Sequence, residues 1–411
     1  MIAFEKFTLE NGLRVIVHED RSTPLVAMNI LYDVGARDED PDHTGFAHLF
    51  EHLMFGGSVN IPEFDRPLQL AGGENNAFTN NDITNYYLTI PSQNVETAFW
   101  LESDRMFSLD FCEKSLEVQR SVVIEEFKQR YLNQPYGDVW LLLRPLAYKV
   151  HPYRWATIGK EISHIENATL EQVRSFFSTW YAPDNAILSL AGNINSDKAR
   201  ILCEKWFADI PKRGICKRNL PEEPAQDEYR VLEIQRDVPH THLYLAFHCC
   251  SRIDHGFYAT DLLSDILSRG KSSRLYLNIV KDKKLCTEIS AYMLGDHHKS
   301  LFVVDAKLIK GIDPAVVEEA IWLELEAVKS QVKARELEKV KHKAEASTEF
   351  SEMGIANKAL NLAYFEWLGD ANECNLQTEH YNAVTETEVS EVARTIFRKE
   401  NCSLLRYLSN H

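Results

Sequence analysis

The sequence predicts a mixed α/β protein of the α+β type, built as two similarly folded halves. Strand-like alternation and helical periodicity both recur along the chain, which indicates that strands and helices are mixed throughout. After a proline-rich stretch at residues 209–228, the order of these elements begins again, as an internal repeat of roughly 200 residues. The length of 411 residues also favours two or three domains over one core.

The composition is typical of a soluble globular protein, with 45 % hydrophobic and 26 % charged residues. No apolar run reaches the roughly 18 residues that a membrane-spanning helix needs, so no membrane partner is expected. A net charge of −16 argues against binding nucleic acid, whose backbone is recognised by clustered Lys and Arg. We interpret the charge as a solubility feature, with attraction of basic or neutral peptides as the alternative.

The N-terminal sequence and the cysteines indicate the cellular compartment in which the protein is expected. The first residues contain no basic region followed by an apolar block, so we expect a cytoplasmic protein or a mature form whose leader has been removed. The eight cysteines include no CxxC motif, and the adjacent Cys249 and Cys250 are interpreted as residues that fill a strand. This pattern predicts reduced thiols in a reducing compartment.

The first half, residues 1–208, is predicted to open with a β-hairpin, because Asn11-Gly12 suits a two-residue turn between two apolar stretches. An interrupted helix is expected at residues 61–70, where two prolines occur. The other strands are predicted at residues 26–34, 76–79, 84–90 and 186–191, and the other helices at residues 46–55, 92–108, 113–131, 135–148, 169–180 and 196–207.

The linker at residues 209–228 contains three prolines, a glycine and blocks of opposite charge without periodicity. The second half, residues 229–411, repeats the pattern of strands and helices. Its strands are predicted at residues 229–235, 242–249, 286–293 and 301–308, and its helices at residues 255–267, 272–281 and between 314 and 369.

The strongest chemical signal is the motif His48-x-x-Glu51-His52, in a short amphipathic helix that ends at Gly56. In a helix these three positions share one face, so both imidazoles can reach one metal ion. The carboxylate in the same row is placed to act on a water held by that metal. A chance occurrence of the motif is the alternative, but two histidines and a glutamate on an apolar surface without a metal would need other partners.

A catalytic zinc site needs a third protein ligand and one position for water. The adjacent Glu125 and Glu126, on the predicted helix at residues 113–131, both qualify, and they point about 100° apart so that only one can face the metal. Solvated glutamates are the ordinary alternative. In the second half, the corresponding helix has Asp261, Ser264 and Asp265 in place of the motif, which predicts a half without a metal site.

The chain resembles the inverted-zincin peptidases, a family that includes pitrilysin, insulin-degrading enzyme and the mitochondrial processing peptidase, and most closely their short bacterial members. The resemblance lies in the two-half layout, the HLFEH helix, the GGENNAFT and TNYY segments, and the QRSVVIEEF helix. It implies that each half has a mainly antiparallel sheet with helices packed on one face.

By the same resemblance, His48 and His52 are zinc ligands and Glu51 is the general base. The third zinc ligand falls on Glu126. The family has a second glutamate where this chain has Gln119, so the role of position 119 is open.

The strand that follows Gly72-Gly73 is a candidate for substrate binding. If it lies at a sheet edge near the metal, its free backbone groups can hold an extended peptide as an added strand, and an ordinary hairpin is the equal alternative. The family resemblance places substrate backbone on this strand, at Asn76, Ala77, Phe78 and Thr79.

The second half departs from the family at a pair of residues that help to hold the substrate carbonyl. Family members use an Arg and a Tyr seven residues apart, whereas this chain has Lys281, followed by Thr287 and Glu288 and no Tyr. The departure suggests a catalytic subunit in a heterodimer with a related zinc-less chain that brings the pair. A homodimer that uses Lys281 is the alternative.

The resemblance implies a zinc-dependent endopeptidase that acts on peptides or unfolded segments. The alternative is a non-catalytic scaffold, since the family also includes metal-free relatives in respiratory complexes. A zinc hydrolase with another substrate class is a third reading of the motif.

Overall fold

The computed structural model describes residues 1–410, which form two compact units. Unit 1 comprises residues 1–128, 155–220 and 349–376, and unit 2 comprises residues 129–154, 221–348 and those from 377 onward. Each unit contains one β-sheet together with α-helices. The predicted mixed α/β class is therefore confirmed.

The strands form a six-stranded sheet in unit 1, in the order β1-β2-β6-β3-β5-β4, and a five-stranded sheet in unit 2, in the order β7-β11-β8-β10-β9. Pairing is antiparallel except between β2 and β6 and between β7 and β11. The strands are β1 (Glu5–Thr8), β2 (Arg14–Glu19), β3 (Leu25–Tyr32), β4 (Glu74–Thr79), β5 (Thr84–Pro91), β6 (Ala186–Gly192), β7 (Arg230–Arg236), β8 (His242–Cys249), β9 (Cys286–Met293), β10 (Ser300–Leu308) and β11 (Cys402–Ser409).

The helices surround the sheets and connect their strands. In chain order they are α1 (Phe46–Leu53), α2 (Asp65–Leu70), α3 (Val95–Phe107), α4 (Glu113–Phe127), α5 (Val139–Ala147), α6 (Ile162–Glu166), α7 (Leu170–Trp180), α8 (Ser196–Phe207), α9 (Phe257–Ser268), α10 (Pro314–Ser330), α11 (Ala334–Ser351), α12 (Ile355–Leu368), α13 (Glu373–Ala383) and α14 (Glu386–Ile396). Within residues 1–410, none of them is long and apolar enough to cross a membrane.

The sheet of unit 1 is buried on both faces. Along β3, alternate residues such as Ala27 and Leu31 pack against α12, while Met28 and Ile30 on the other face are also fully buried. In unit 2, β8 shows the same arrangement, since Ala246 belongs to a cluster with α5. A helix from a distant part of the sequence thus covers one face of each sheet, in addition to the helices expected on the other.

The first hairpin forms as predicted, but its turn differs from the expected two-residue turn. The backbone N–H of Leu9 donates to the carbonyl of Leu13, so three residues form the loop and Gly12 adopts a left-handed φ of 91°. The side chain of Asn11 donates to the carbonyls of Phe207 and Ile210 at 2.7 and 2.9 Å. These two buried hydrogen bonds of Asn11 stabilise the three-residue loop over the two-residue turn.

Other predicted elements need smaller corrections. The interrupted helix begins only at Asp65, and the helix expected at residues 272–281 is a π-helical segment, Tyr276–Asp282. Residues 211–227 form neither helix nor strand, and Arg218 in this stretch bonds to Asp33 and Asp38 within unit 1. No elements were predicted after residue 369, where α13, α14 and the interior strand β11 lie.

The packing of α12 generates a stability prediction. Leu362 on α12 is fully buried in the cluster against the sheet of unit 1. We expect Leu362→Ala to lower the free energy of unfolding by about 2–5 kcal/mol, measured from the urea unfolding of unit 1, because the cavity left behind adds to the lost burial. Leu70→Ala, at an exposed position of α2 in the same unit, is the matched control, and an equal effect of both changes would contradict the role of α12.

Candidate metal centre

Helix α1 carries the HxxEH motif and begins after a glycine that the local packing requires. Gly45 has a left-handed φ of 88°, and a Cβ atom at this position would lie 2.7 Å from the carbonyl oxygen of Ile158. The chain can therefore turn tightly into the helix only with glycine at this position.

A buried carboxylate accepts hydrogen bonds from the N-terminal backbone of α1, and this residue was not predicted from the sequence. Glu39 is buried, and its two oxygens accept hydrogen bonds from the N–H groups of Gly45 and Ala47, both at 2.9 Å. Burial raises the pKa of Glu39 to about 8, while the two N–H groups oppose this shift. A carboxylate a few residues before a predicted helix is the signal that could have identified it.

The apolar side of α1 packs into the core of unit 1. The ring of Phe50 lies 5.1 Å from that of Phe176 and stacks at 5.1 Å on that of Tyr181. The carbonyl of Phe50 also accepts a hydrogen bond from the hydroxyl of Tyr86 at 3.3 Å. With Glu39 at its start and Phe50 in its middle, α1 has a defined position against the rest of the unit.

The structure brings His48 and His52 of α1 together with Glu126 of α4. The Oε2 atom of Glu126 lies 3.6 Å from Nε2 of His48 and 3.3 Å from Nε2 of His52. One ligand atom from each residue lies within 4.8 Å of the other two, and among residues 1–410 this is the cluster that could hold a metal ion.

These separations fit a zinc site. In a tetrahedral site with bonds of about 2.0–2.1 Å, neighbouring ligand atoms are about 3.3 Å apart. The two measured distances from Glu126 are close to that value. Two imidazole nitrogens and one carboxylate oxygen are also the donor types that zinc takes in catalytic sites, with one position left for water.

The neighbouring Glu125 points elsewhere. Its side chain is exposed and pairs with Lys128 at 2.7 Å. Of the two glutamates that the sequence left open, Glu126 is therefore the one whose carboxylate reaches the histidines. Gln119 lies two turns before Glu126 on the same face of α4, near Gly56 just after α1, where a Cβ on the glycine would be 3.7 Å from the Gln119 amide nitrogen.

Glu51 lies on the same helix but belongs to a different contact. Thr79, at the end of β4, lies beside its carboxyl and favours the charged form. Burial raises the pKa of Glu51, and the contacts with Thr79 and His52 oppose that shift. The carboxyl thus lies beside the end of β4, outside the group of three candidate ligand atoms.

Strand β4, which contains Asn76, Ala77, Phe78 and Thr79, is an edge strand of the sheet. The N–H of Ala77 donates to the side-chain oxygen of Asn76 at 2.8 Å. Thr79, two residues further on and therefore on the same side, lies beside the Glu51 carboxyl. The free edge of β4 thus leads directly to the Glu51 carboxyl.

In unit 2, α9 occupies the place of α1 in the repeat, and its acidic residues have protein partners. Asp265 pairs with Arg269 at 2.9 Å, and Asp261 accepts a hydrogen bond from the Tyr381 hydroxyl at 2.7 Å. Both carboxylates therefore have partners within the protein and do not require a bound metal ion. Lys281, the residue at the expected Arg position, is exposed in the π-helical segment.

The fold and this cluster define the chain as a two-unit α/β protein with a His-His-Glu centre on α1 and α4. Residues 14–141 match the family model described as insulinase (peptidase family M16), and residues 167–344 match the model described as the peptidase M16 inactive domain. The chain belongs to peptidase family M16, of the bacterial type.

Curated relatives and solved structures agree with this assignment. A zinc protease of Helicobacter pylori, PqqE, is 32 % identical over 82 % of this chain and 77 % of its own, and the Bacillus subtilis protein YmxG, described as an uncharacterized zinc protease, is 24 % identical over 96 % of both. The crystal structure of a protease from Helicobacter pylori superposes with a TM-score of 0.93 at 28 % identity, covering 99 % of this chain and all of that one.

Proposed function

We propose that this chain is a zinc-dependent endopeptidase that hydrolyses peptides or unfolded segments. The observation that carries the proposal is the convergence of His48, His52 and Glu126 at separations that suit a tetrahedral zinc. The similarity to relatives named as zinc proteases supports the choice of metal and reaction.

When bound by these three residues, zinc supplies a Lewis acid that polarises the scissile carbonyl and lowers the pKa of water. Glu51 is the general base of the proposal: an oxygen of its carboxylate takes the proton of the attacking water and later gives it to the leaving amine nitrogen. Thr79, beside this carboxyl at the end of β4, favours the charged form that accepts the proton. No covalent intermediate with the protein is needed.

The edge of β4 is the proposed substrate-binding element, through Asn76, Ala77, Phe78 and Thr79. An extended peptide that pairs with this edge displaces the Asn76 side chain from the N–H of Ala77 and runs toward Glu51. Recognition through backbone groups predicts broad sequence preference. It also favours unfolded segments, since folded proteins rarely offer a free strand.

A partner chain completes the proposed enzyme. In this chain the expected Arg position is Lys281, whose ammonium lacks the planar fork of Arg, and no Tyr lies seven residues on. We propose a heterodimer with a related zinc-less chain that brings an Arg and a Tyr to the substrate carbonyl. A homodimer that uses Lys281 is the rival arrangement.

A non-catalytic scaffold is the second candidate function. It is favoured by the match of residues 167–344 to the family's inactive-domain model. The His48, His52 and Glu126 cluster argues against it, because a scaffold has no need to gather three metal-binding side chains from separate helices.

The roles of the three acidic residues can be separated by neutral substitutions. We expect Glu126→Gln to weaken zinc binding by more than about 100-fold, because changes outside the ligand set alone cost about 10- to 100-fold. Glu51→Gln should keep zinc and reduce peptide turnover by about 10²- to 10⁴-fold, the usual contribution of a general base. Zinc per chain is measured by atomic absorption after dialysis against a metal buffer, and turnover with an unstructured fluorogenic peptide.

Glu125→Gln is the matched control, since Glu125 is adjacent in sequence but exposed. It should keep both zinc and turnover. Loss of zinc in this variant would mean that the wrong glutamate has been assigned, and full turnover of Glu51→Gln would remove Glu51 as the base.

The proposed binding of substrate to the edge of β4 is tested by removing one backbone N–H. Ala77→Pro deletes the donor that the structure directs to the Asn76 side chain, and an edge strand tolerates proline. We expect kcat/KM for unstructured peptides to fall by about tenfold, as for the loss of one hydrogen bond. Ala77→Val keeps the N–H and is the control. Equal kcat/KM for the two variants would exclude pairing at this residue.

The partner proposal is tested by assaying the zinc-loaded chain alone and with the proteins that co-purify from its native cell. We expect the chain alone to be at least about 100-fold less active than the complex, because it lacks donors to the substrate carbonyl. Full activity of the chain alone would refute the heterodimer. In that case, a loss of activity in Lys281→Ala but not in Lys283→Ala would support the homodimer.

A further inference from the structure

Tyr86 lies between the helix that carries the proposed base and the strand that forms the proposed substrate edge. Its backbone is in β5, where the strand register places it directly opposite Ala77 of β4. Its side chain is fully buried, and its hydroxyl donates a hydrogen bond to the carbonyl of Phe50 in α1 at 3.3 Å. One residue therefore contacts both elements of the candidate site.

The carbonyl of Phe50 belongs to the peptide group that joins this residue to Glu51. It also accepts the helical hydrogen bond from the N–H of Met54 at 3.0 Å, so the helix does not need the tyrosine to satisfy this carbonyl. The bond from Tyr86 is therefore an addition to the helical pattern, and it acts on the backbone unit next to the Glu51 side chain. A fixed position of this unit limits where the carboxyl can lie.

The ring of Tyr86 is held by buried groups on several sides. The guanidinium carbon of Arg105 lies 4.4 Å from the ring centroid, and the ring centroids of Tyr32 and Phe55 lie at 5.9 and 6.0 Å. Arg105 is itself fixed by two hydrogen bonds to the Glu102 carboxyl, at 2.6 and 2.8 Å, and both residues are buried. Close packing leaves the ring little freedom, so its hydroxyl stays directed at α1.

A second tyrosine in this cluster offers a comparison, because it shares the burial of Tyr86 but not the bond to α1. Tyr32 is also fully buried, and the two rings meet edge to face. The hydroxyl of Tyr32 has no hydrogen-bond partner within residues 1–410. The two hydroxyls thus lie in similar surroundings, and only that of Tyr86 bonds to Phe50.

We propose that Tyr86 is a positioning residue for Glu51, and the inference rests on the proposed function, in which Glu51 is the general base. The backbone of Tyr86 lies opposite Ala77, and its hydroxyl bonds to the peptide group that precedes Glu51. Tyr86 thereby sets the position of the base relative to a substrate strand bound on β4. A displacement of about 1 Å at a reacting group can cost about 100-fold in rate, so a small shift of the base affects turnover.

The test compares Tyr86→Phe with Tyr32→Phe in the zinc-loaded full-length chain, together with its co-purifying partner if the chain alone is inactive. We expect Tyr86→Phe to lower kcat for an unstructured fluorogenic peptide by about fivefold, as for the loss of one hydrogen bond. KM and zinc per chain should stay unchanged, since the ring, the strand pairing and the candidate zinc ligands remain. Tyr32→Phe is the control and should leave kcat unchanged, because it removes an equally buried hydroxyl without a partner in residues 1–410.

A double-mutant cycle distinguishes positioning of Glu51 from a general structural effect. Added to Glu51→Gln, Tyr86→Phe should change the residual turnover by less than about twofold, because the side chain that Tyr86 positions can no longer act as a base. An undiminished effect of Tyr86→Phe in this background would overturn the inference and leave the proposed function intact, as would equal kcat of the two tyrosine variants. Full turnover of Glu51→Gln would overturn the proposed base and the inference with it.

A conservative replacement tests the hydrogen-bond donor itself. Replacing Tyr86 with 4-aminophenylalanine keeps the ring and places an N–H donor where the hydroxyl was, so this variant should fold even if Tyr86→Phe does not. We expect its kcat to lie within about twofold of that of the native chain, the range in which an unaffected site is measured. A kcat reduced as far as in Tyr86→Phe would contradict the role of the hydroxyl.

Discussion

The position of α4 relative to α1 is the constraint on which the candidate metal centre depends. Helical geometry alone aligns His48 and His52, but Glu126 comes from a separate helix and reaches them only if α4 presents that position inward. Val123 and Phe127, which flank Glu126 on α4, are buried and set this rotation. Helix α1 has eight residues, too few to be stable alone, so its own position comes from Glu39 and Phe50. The ligand geometry is therefore a product of tertiary packing.

This origin explains which parts of the site were predictable from sequence. The HxxEH helix follows from a local period, and so do β4 and β5 and most helices of unit 1. The choice between Glu125 and Glu126 is not local, since both lie on the same helix and only packing decides which one is exposed. Glu39 was not identified because its role depends on a turn at Gly45 whose left-handed conformation comes from close contact with Ile158.

The fold, like the site, was only partly predictable from the sequence. Mixed strands and helices are visible in the periodicity, but the burial of each sheet on a second face is not, because α5 and α12 have ordinary amphipathic patterns that do not reveal their partners. The first hairpin illustrates the same limit. Asn11-Gly12 favours a two-residue turn in isolation, and the bonds from Asn11 to Phe207 and Ile210, almost 200 residues away, select a three-residue loop instead.

The two units also differ in the partners of the acidic residues on or beside the repeated helix. In unit 2, Asp265 forms an ion pair with Arg269, and Asp261 accepts a hydrogen bond from the Tyr381 hydroxyl, so both carboxylates have partners within the protein. In unit 1, Glu126 on α4 faces the imidazoles of His48 and His52. A cation bound there stabilises the folded unit in proportion to the logarithm of its concentration relative to the dissociation constant. With the proposed metal bound, metal binding and the packing of α1 on α4 are therefore coupled in unit 1, whereas the carboxylates of α9 in unit 2 already have protein partners.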